Sequence, residues 1–252
     1  MPRGEPLELA RRAWPTVPGN ALVLVPIGST EQHGPHLPLH TDSTVAESVA
    51  RATLSQLPGH EGVLAPTITY GASGEHAGFP GTLSIGHEAL RAVLVETVRS
   101  LSLWAGRVVF VNGHGGNVTS LDAACAQLRD EGHDVSWLGC DPPGGDAHAG
   151  RTETSVMLHL APHDVRMSEA APGDTRPLPE LLPLLVAHGV RAVAPNGVLG
   201  DPTGATAEEG RALVEVMVSR AVRLVTADLA DSRGRLGDPS RRMAARQGAG
   251  EA

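Results

Sequence analysis

The chain has no lysine; all 20 of its basic residues are arginine. That excludes a Schiff-base or nucleophilic lysine and the lysine of a phosphate-binding P-loop. Aromatic residues make up only 2% of the 252 positions, so the core must be assembled from Val, Leu, Ile and Ala. Two cysteines, Cys125 and Cys140, make neither a disulfide framework nor a Cys-x-x-Cys site and read as reduced thiols. No Gly-x-Ser-x-Gly run occurs, which removes the nucleophile elbow of serine hydrolases. There is no 18-residue apolar run and no apolar segment of signal type in residues 1–20. The expectation is a cytoplasmic protein with no membrane partner. A formal net charge of −8 argues against nucleic acid as a partner.

What is present is an alternation of short apolar runs and helical periodicity. Residues 21–27, 62–70, 107–112 and 134–140 read as strands. Residues 43–57, 87–104, 152–160 and 178–187 read as helices, as do a segment ending near Glu131 before Gly132 and a last long segment opened by Thr206 with Glu209 three residues on. Thr44 and Glu47 have the same capping-box spacing, and residues 7–14 read as a short entry helix. Strands alternating with helices predict a single α/β domain, mostly a parallel central sheet flanked by helices. That domain spans 21–230, after an N-terminal extension (1–20) and before an Arg, Gly and Ala-rich tail (231–252) expected to be disordered.

The chemistry-bearing residues collect where strands end. The loop after 21–27 runs Gly28-Ser29-Thr30-Glu31-Gln32-His33 and on to Asp42. Glu31 and His33, two apart in an extended segment, point the same way. A lone Glu-x-His also fits a polar surface loop. The weight comes from its company: His114 between glycines after 107–112, and His148 with Glu153 across the loop that follows 134–140. The loop after 62–70 adds His76. In parallel sheets ligands bind outside the carboxyl ends of the strands. Mixed carboxylate and imidazole ligands suit Zn²⁺, Fe²⁺ or Mn²⁺, and several carboxylates with two histidines suggest a two-metal centre that activates water and polarises a carbonyl. His36 and His40 are ambiguous extras. His133, His159, His163 and His188 fit surface or packing roles.

Taken together, GSTEQHGPHLPLHTD, GASGEHAGFPGTLSIG, VFVNGHGGN, HAGRTETS and GVLGDPTGATAEEG resemble the creatininase family, in order and over nearly the whole chain. The resemblance implies an α/β fold, a binuclear centre of two divalent metal ions, hydrolysis of non-standard amide bonds and a homo-oligomer, often a hexamer. Members include creatinine amidohydrolases, formamide deformylases and peptidases of mycofactocin biosynthesis. The chain most resembles the last branch, through GASGEH, the run from Pro143 to Gly150 and ETSVMLHLAPHDVR. This implies a modified precursor peptide as substrate, losing its C-terminal Val-Tyr-derived unit; a formamide deformylase or creatinine-type cyclic amidohydrolase is the alternative. Carried over by motif, Glu31, His33, Asp42 and His114 match metal ligands, with Asp42 bridging, and His148 matches the proton-transferring histidine. His76, with the amides of Gly115 and Gly116, is assigned to substrate. Creatinine hydrolases have a carboxylate where this chain has Gly116, and we expect Glu153 to fill that place. They also have a Trp where this chain has Gly144, which argues against creatinine.

Overall fold

The computed structural model describes residues 6–58, 62–142 and 144–238. Five parallel strands form one sheet: β1 (Leu7–Glu8), β2 (Ala21–Ile27), β3 (Gly62–Leu64), β4 (Ala105–Asn112) and β5 (Val135–Gly139), in the order β1-β3-β2-β4-β5. Seven helices are described: α1 (Thr41–Gln56), α2 (Gly86–Leu101), α3 (Val118–Asp130), α4 (Arg151–Leu160), α5 (Leu178–His188), α6 (Val190–Val193) and α7 (Ala207–Ala227).

The period-two alternation of side chains divides the sheet's two faces. Leu22, Leu24, Val109 and Val111 pack with α1, α4 and α7. Val23, Val25, Ile27, Val108 and Phe110 pack with α2 and α3. Both faces of β2 and β4 are covered, which is why these strands read as unbroken apolar runs. The chain leaves β2 through α1 on one face and leaves β4 through α3 on the other. The carboxyl ends of β2 and β4 therefore flank a topological switch point, where an open α/β sheet leaves a crevice.

Four local expectations are corrected. Residues 7–14 are not a helix: Leu7 and Glu8 pair with Val63 and Leu64 at the sheet edge, and short 3₁₀ turns follow. The strand expected over 62–70 stops at Leu64, because Pro66 lacks an amide for the ladder; Ile68 alone returns, bridging to Ile27. Thr44 does not cap α1, which starts three residues earlier with His40 as N-cap; Glu47 instead holds Arg51 and accepts from Thr67. Residues 231–238, assigned to the tail, are packed: Leu236 is buried and donates its amide to the Trp137 carbonyl of β5. Residues 239–252 lie outside the described residues. Elsewhere the pattern and the fold agree: Thr206 accepts from the Glu209 amide and caps α7, and α5 forms with Pro179 in its first turn and Pro183 inside it.

Candidate metal centre

Three strand ends and one neighbouring loop converge. Glu31 and His33 follow β2, Asp42 sits in the first turn of α1, His114 follows β4, His76 lies in the loop beyond β3, and His148 and Glu153 lie beyond β5. Glu31, His33, Asp42, His76, His114 and His148 are buried, and Glu153 is partly so. Asp42 lies between two imidazoles, with Oδ1 3.0 Å from His33 Nε2 and Oδ2 3.3 Å from His114 Nδ1. Glu31 Oε2 is 3.2 Å from His114 Nε2, and its Oε1 is 3.2 Å from His76 Nε2. Glu153 Oε2 is 3.8 Å from His33 Nε2 and accepts the Ala149 amide at 2.6 Å. Three sets of possible ligand atoms come together: Glu31, His33 and Asp42; Glu31, His76 and His148; His33, His148 and Glu153.

The hydrogen bonds assign the tautomers. His33 Nδ1 donates to the Glu31 carbonyl at 3.1 Å, which turns Nε2 toward Asp42 Oδ1 as the nitrogen a metal would take on displacing its proton. Gln32 is the hub. Its Oε1 accepts the Gly34 amide, so its NH₂ donates to the Gly197 carbonyl and to His76 Nδ1. His76 then carries its proton on Nε2, toward Glu31. His148 Nε2 lies 3.0 Å from the Gln32 side-chain nitrogen and 2.9 Å from the Gln32 backbone carbonyl; with both side-chain amide hydrogens placed on His76 and Gly197, it donates to the carbonyl, leaving Nδ1 as its basic nitrogen. His148 is also stacked close to both His33 and His76, with ring centroids 4.3 and 4.5 Å away.

The electrostatics describe a site short of positive charge. Burial pushes the Glu31 carboxyl up to about 8. Burial also opposes charge on His33, yet Asp42 outweighs it and pushes the ring up to about 10. His114 is raised well above its ordinary value against burial, by Glu31 and Asp42. Burial, reinforced by the charge of His33, drives His148 well below its ordinary value, so it is a neutral imidazole. Both Glu31 oxygens and Asp42 Oδ2 are buried with no hydrogen-bond partner. Unpaired buried carboxylate oxygens facing imidazoles fit a divalent cation.

Several expected parts fall elsewhere. His36 is buried but bonded to Thr154 Oγ1 at 2.8 Å; it lies outside the three ligand sets, as do His114, which instead joins through Glu31 and Asp42, and Glu75, which joins through His114. His40 is exposed, near Asp164. Gly115 and Gly116 line the cavity beside the cluster. Sequence reasoning passed over Gln32, Glu75 and Asn117. Asn117 is fully buried and stitches three loops: its Oδ1 accepts the Ala72 amide, and its Nδ2 donates to Gly28 O and Asn112 Oδ1. The signal was each residue's place inside a motif, beside Glu31, His76 and the His114 glycines.

Comparison with known proteins places this geometry. The creatininase family profile, described as creatinine amidohydrolase, matches residues 10–225. The chain belongs to the creatininase family. It is thereby a hydrolase, of a family of metal-dependent amidohydrolases. It is 53% identical over 222 residues to the mycofactocin precursor peptide peptidase of Mycolicibacterium smegmatis, covering 87% of this chain and 89% of that one. A crystal structure of creatininase superposes with a TM-score of 0.74 at 26% identity, over 89% of this chain and 98% of that one. A glutamine variant of creatininase in its zinc–zinc form matches equally, with a TM-score of 0.74 at 26% identity over 89% and 99% of the two chains.

Proposed function

We propose that this creatininase-family member releases the modified C-terminal Val-Tyr-derived unit from the mycofactocin precursor peptide by hydrolysing an amide bond. The observation that carries the reading is the space around the cluster. A cavity of about 970 Å³ lies on one side, with Leu178, Leu182, Leu185 and Val186 of α5 along its wall. A second cavity of about 360 Å³ adjoins it, lined by Asp146, Thr175 and Arg176 among others. Asp42, Gly113, Asp141, Ala147, Glu153, Leu178 and Leu199 line both. Together they offer room for a peptide chain at the reacting amide, which a small cyclic substrate does not need. The kinship with mycofactocin peptidases supports the same substrate.

In this reading Glu31, His33, Asp42, His114 and Glu153 hold two divalent ions, zinc, iron or manganese. When bound, the ions supply Lewis acidity and make water acidic enough to attack near neutral pH. The chain's own part is positional and protonic. Neutral His148 accepts a proton at Nδ1 from the attacking water and returns it to the leaving nitrogen. The Gln32 carbonyl holds its other nitrogen throughout. His76, fixed by Gln32, orients Glu31 and the substrate beside it. Gly115 and Gly116 line the larger cavity, and their amides are the proposed donors to the oxyanion. His148 lines the larger cavity and not the smaller, so the fragment with the new amine leaves through the larger one. The same reading takes the enzyme as a cytoplasmic homo-oligomer, expected as a hexamer.

The test is mass spectrometry of the purified chain, loaded with zinc, iron or manganese in turn, against three substrates: the modified precursor peptide, a formamidopyrimidine and creatinine. Release of the C-terminal unit is expected, with no turnover of the other two. Undiminished peptide hydrolysis by metal-stripped protein, or preference for the formamide, would sink the proposal.

A further inference from the structure

The carboxylate missing at Gly116 has a physical replacement in another loop. A Cβ at position 116 would lie 2.4 Å from the Ala72 carbonyl oxygen, 2.4 Å from His114 Nε2 and 2.7 Å from Glu75 Oε1. The Ala72 carbonyl is backbone of the loop that carries Glu75, so that loop leaves no room for a side chain at 116, and the end of the Glu75 side chain occupies the remaining space. Glycine at 116 is what allows the Glu75 loop to close onto His114.

Glu75 is aimed at the centre. Its Oε1 is 3.5 Å from His114 Nε2 and 4.0 Å from His76 Nε2. Glu31 Oε2 faces the same His114 nitrogen at 3.2 Å, and Asp42 Oδ2 faces the other at 3.3 Å. Three carboxyl groups from two connections thus surround one imidazole, whose Nε2 also lies 3.3 Å from the Ala72 carbonyl. Glu31 among them is wholly buried, with neither oxygen hydrogen-bonded. Asp42 is shared with His33, but the Glu31 oxygens have no hydrogen-bond partner, and a divalent cation with oxygen and nitrogen ligands suits such a group. Glu153 lies apart from this group: its contacts are His33 Nε2 and the Ala149 amide. The loop carrying Glu75 is anchored as well as aimed. The Ala72 amide donates to buried Asn117, and the Ser73 amide donates to Ser84 Oγ.

We propose that Glu75 is the metal-binding carboxylate on the His114 side of the centre, in the place vacated at Gly116, and that Glu153 serves the His33 side. The inference rests on the metal centre of the preceding section. It relocates a ligand from the strand-end loop to the loop that also carries His76, so that one short turn supplies both a ligand and a positioning histidine.

The experiment uses the full chain, stripped of metal and titrated with zinc alone. Zinc per chain is counted by elemental analysis and affinity is read by chelator competition, for wild type, Glu75→Gln, Glu75→Ala and Glu153→Gln. The melting temperature of each stripped protein controls for folding; Glu75 is partly exposed, so both changes at 75 should be tolerated. Wild type is expected to hold two zinc ions. Both Glu75 variants should lose one of them or bind it at least about tenfold more weakly. Glu75 variants with wild-type zinc content and affinity would overturn the role of Glu75 while leaving the centre intact. Wild type that binds no zinc would overturn the centre and this inference together.

Discussion

At the residue scale the centre separates into side chains that face the reacting space and those that hold them. His33 and His76 illustrate the difference. His33 has its Nδ1 tied to a backbone carbonyl and its Nε2 on Asp42, between the carboxylates, whereas His76 is held through Nδ1 by Gln32 and sets its Nε2 3.2 Å from Glu31. His76 is therefore a positioning residue. His148 keeps one free nitrogen and is neutral. His148→Ala should retain metal and lose turnover by about 10²–10⁴-fold, the usual contribution of a positioned acid–base group. Asp42→Ala, which removes the group between two imidazoles, should lose metal and turnover alike. Elemental analysis alongside single-turnover rates separates the two outcomes.

At the element scale the site depends on how closely the start of α1 approaches the end of β2. A Cβ at Gly28 would lie 2.4 Å from the Ser43 backbone nitrogen and 2.5 Å from its Cα. Backbone cannot swing aside as a long side chain can. Gly28→Ala should therefore push α1 outward, cost about 1–3 kcal/mol of stability by overpacking, and displace the neighbouring Asp42. Urea unfolding and zinc affinity should both weaken; a variant weakened in neither would show that α1 is free to shift. Helix α5 is placed differently. Leu181 is buried against Ala194 and Leu199, but Leu178, Leu182, Leu185 and Val186 line a cavity wall, and Leu182 and Val186 remain exposed.

For the whole molecule, the buried cluster links stability to pH. Glu31 titrates at about 8 when folded and near an ordinary carboxylate value when unfolded, so its stabilisation is complete at low pH and is lost as pH rises to about 8. His33, raised to about 10, stabilises fully below its ordinary value and loses that contribution as pH rises through 10. Asp42 is shifted the other way, so its contribution is lost only in acid. The metal-stripped protein should therefore melt highest in mildly acid solution and fall by about 5 °C or more between pH 5 and pH 9. Zinc, which displaces these protons, should flatten or reverse the trend. Scanning calorimetry with and without chelator checks this; a stripped protein that gains stability over that range would contradict it.

The sequence by itself determined the sheet and the identity of the cluster. Strands β2 and β4 are legible because both faces are buried, and Glu31, His33, Asp42, His114 and His148 because they follow strand ends in motifs shared with a family. No helix among the described residues is long and apolar enough to cross a membrane, as the absence of long apolar runs implies. Where the reading failed, at residues 7–14 and 62–70, local propensity met tertiary pairing: an edge strand took Leu7 and Glu8, and Pro66 broke the ladder. The roles of Gln32, Asn117 and Glu75 were decided only by the fold. A polar side chain carries no mark of its partner in its own neighbourhood, and Glu75 meets His114 across 39 residues of chain. Only the closing of two loops at the carboxyl end of the sheet, through a position where no side chain fits, makes them neighbours.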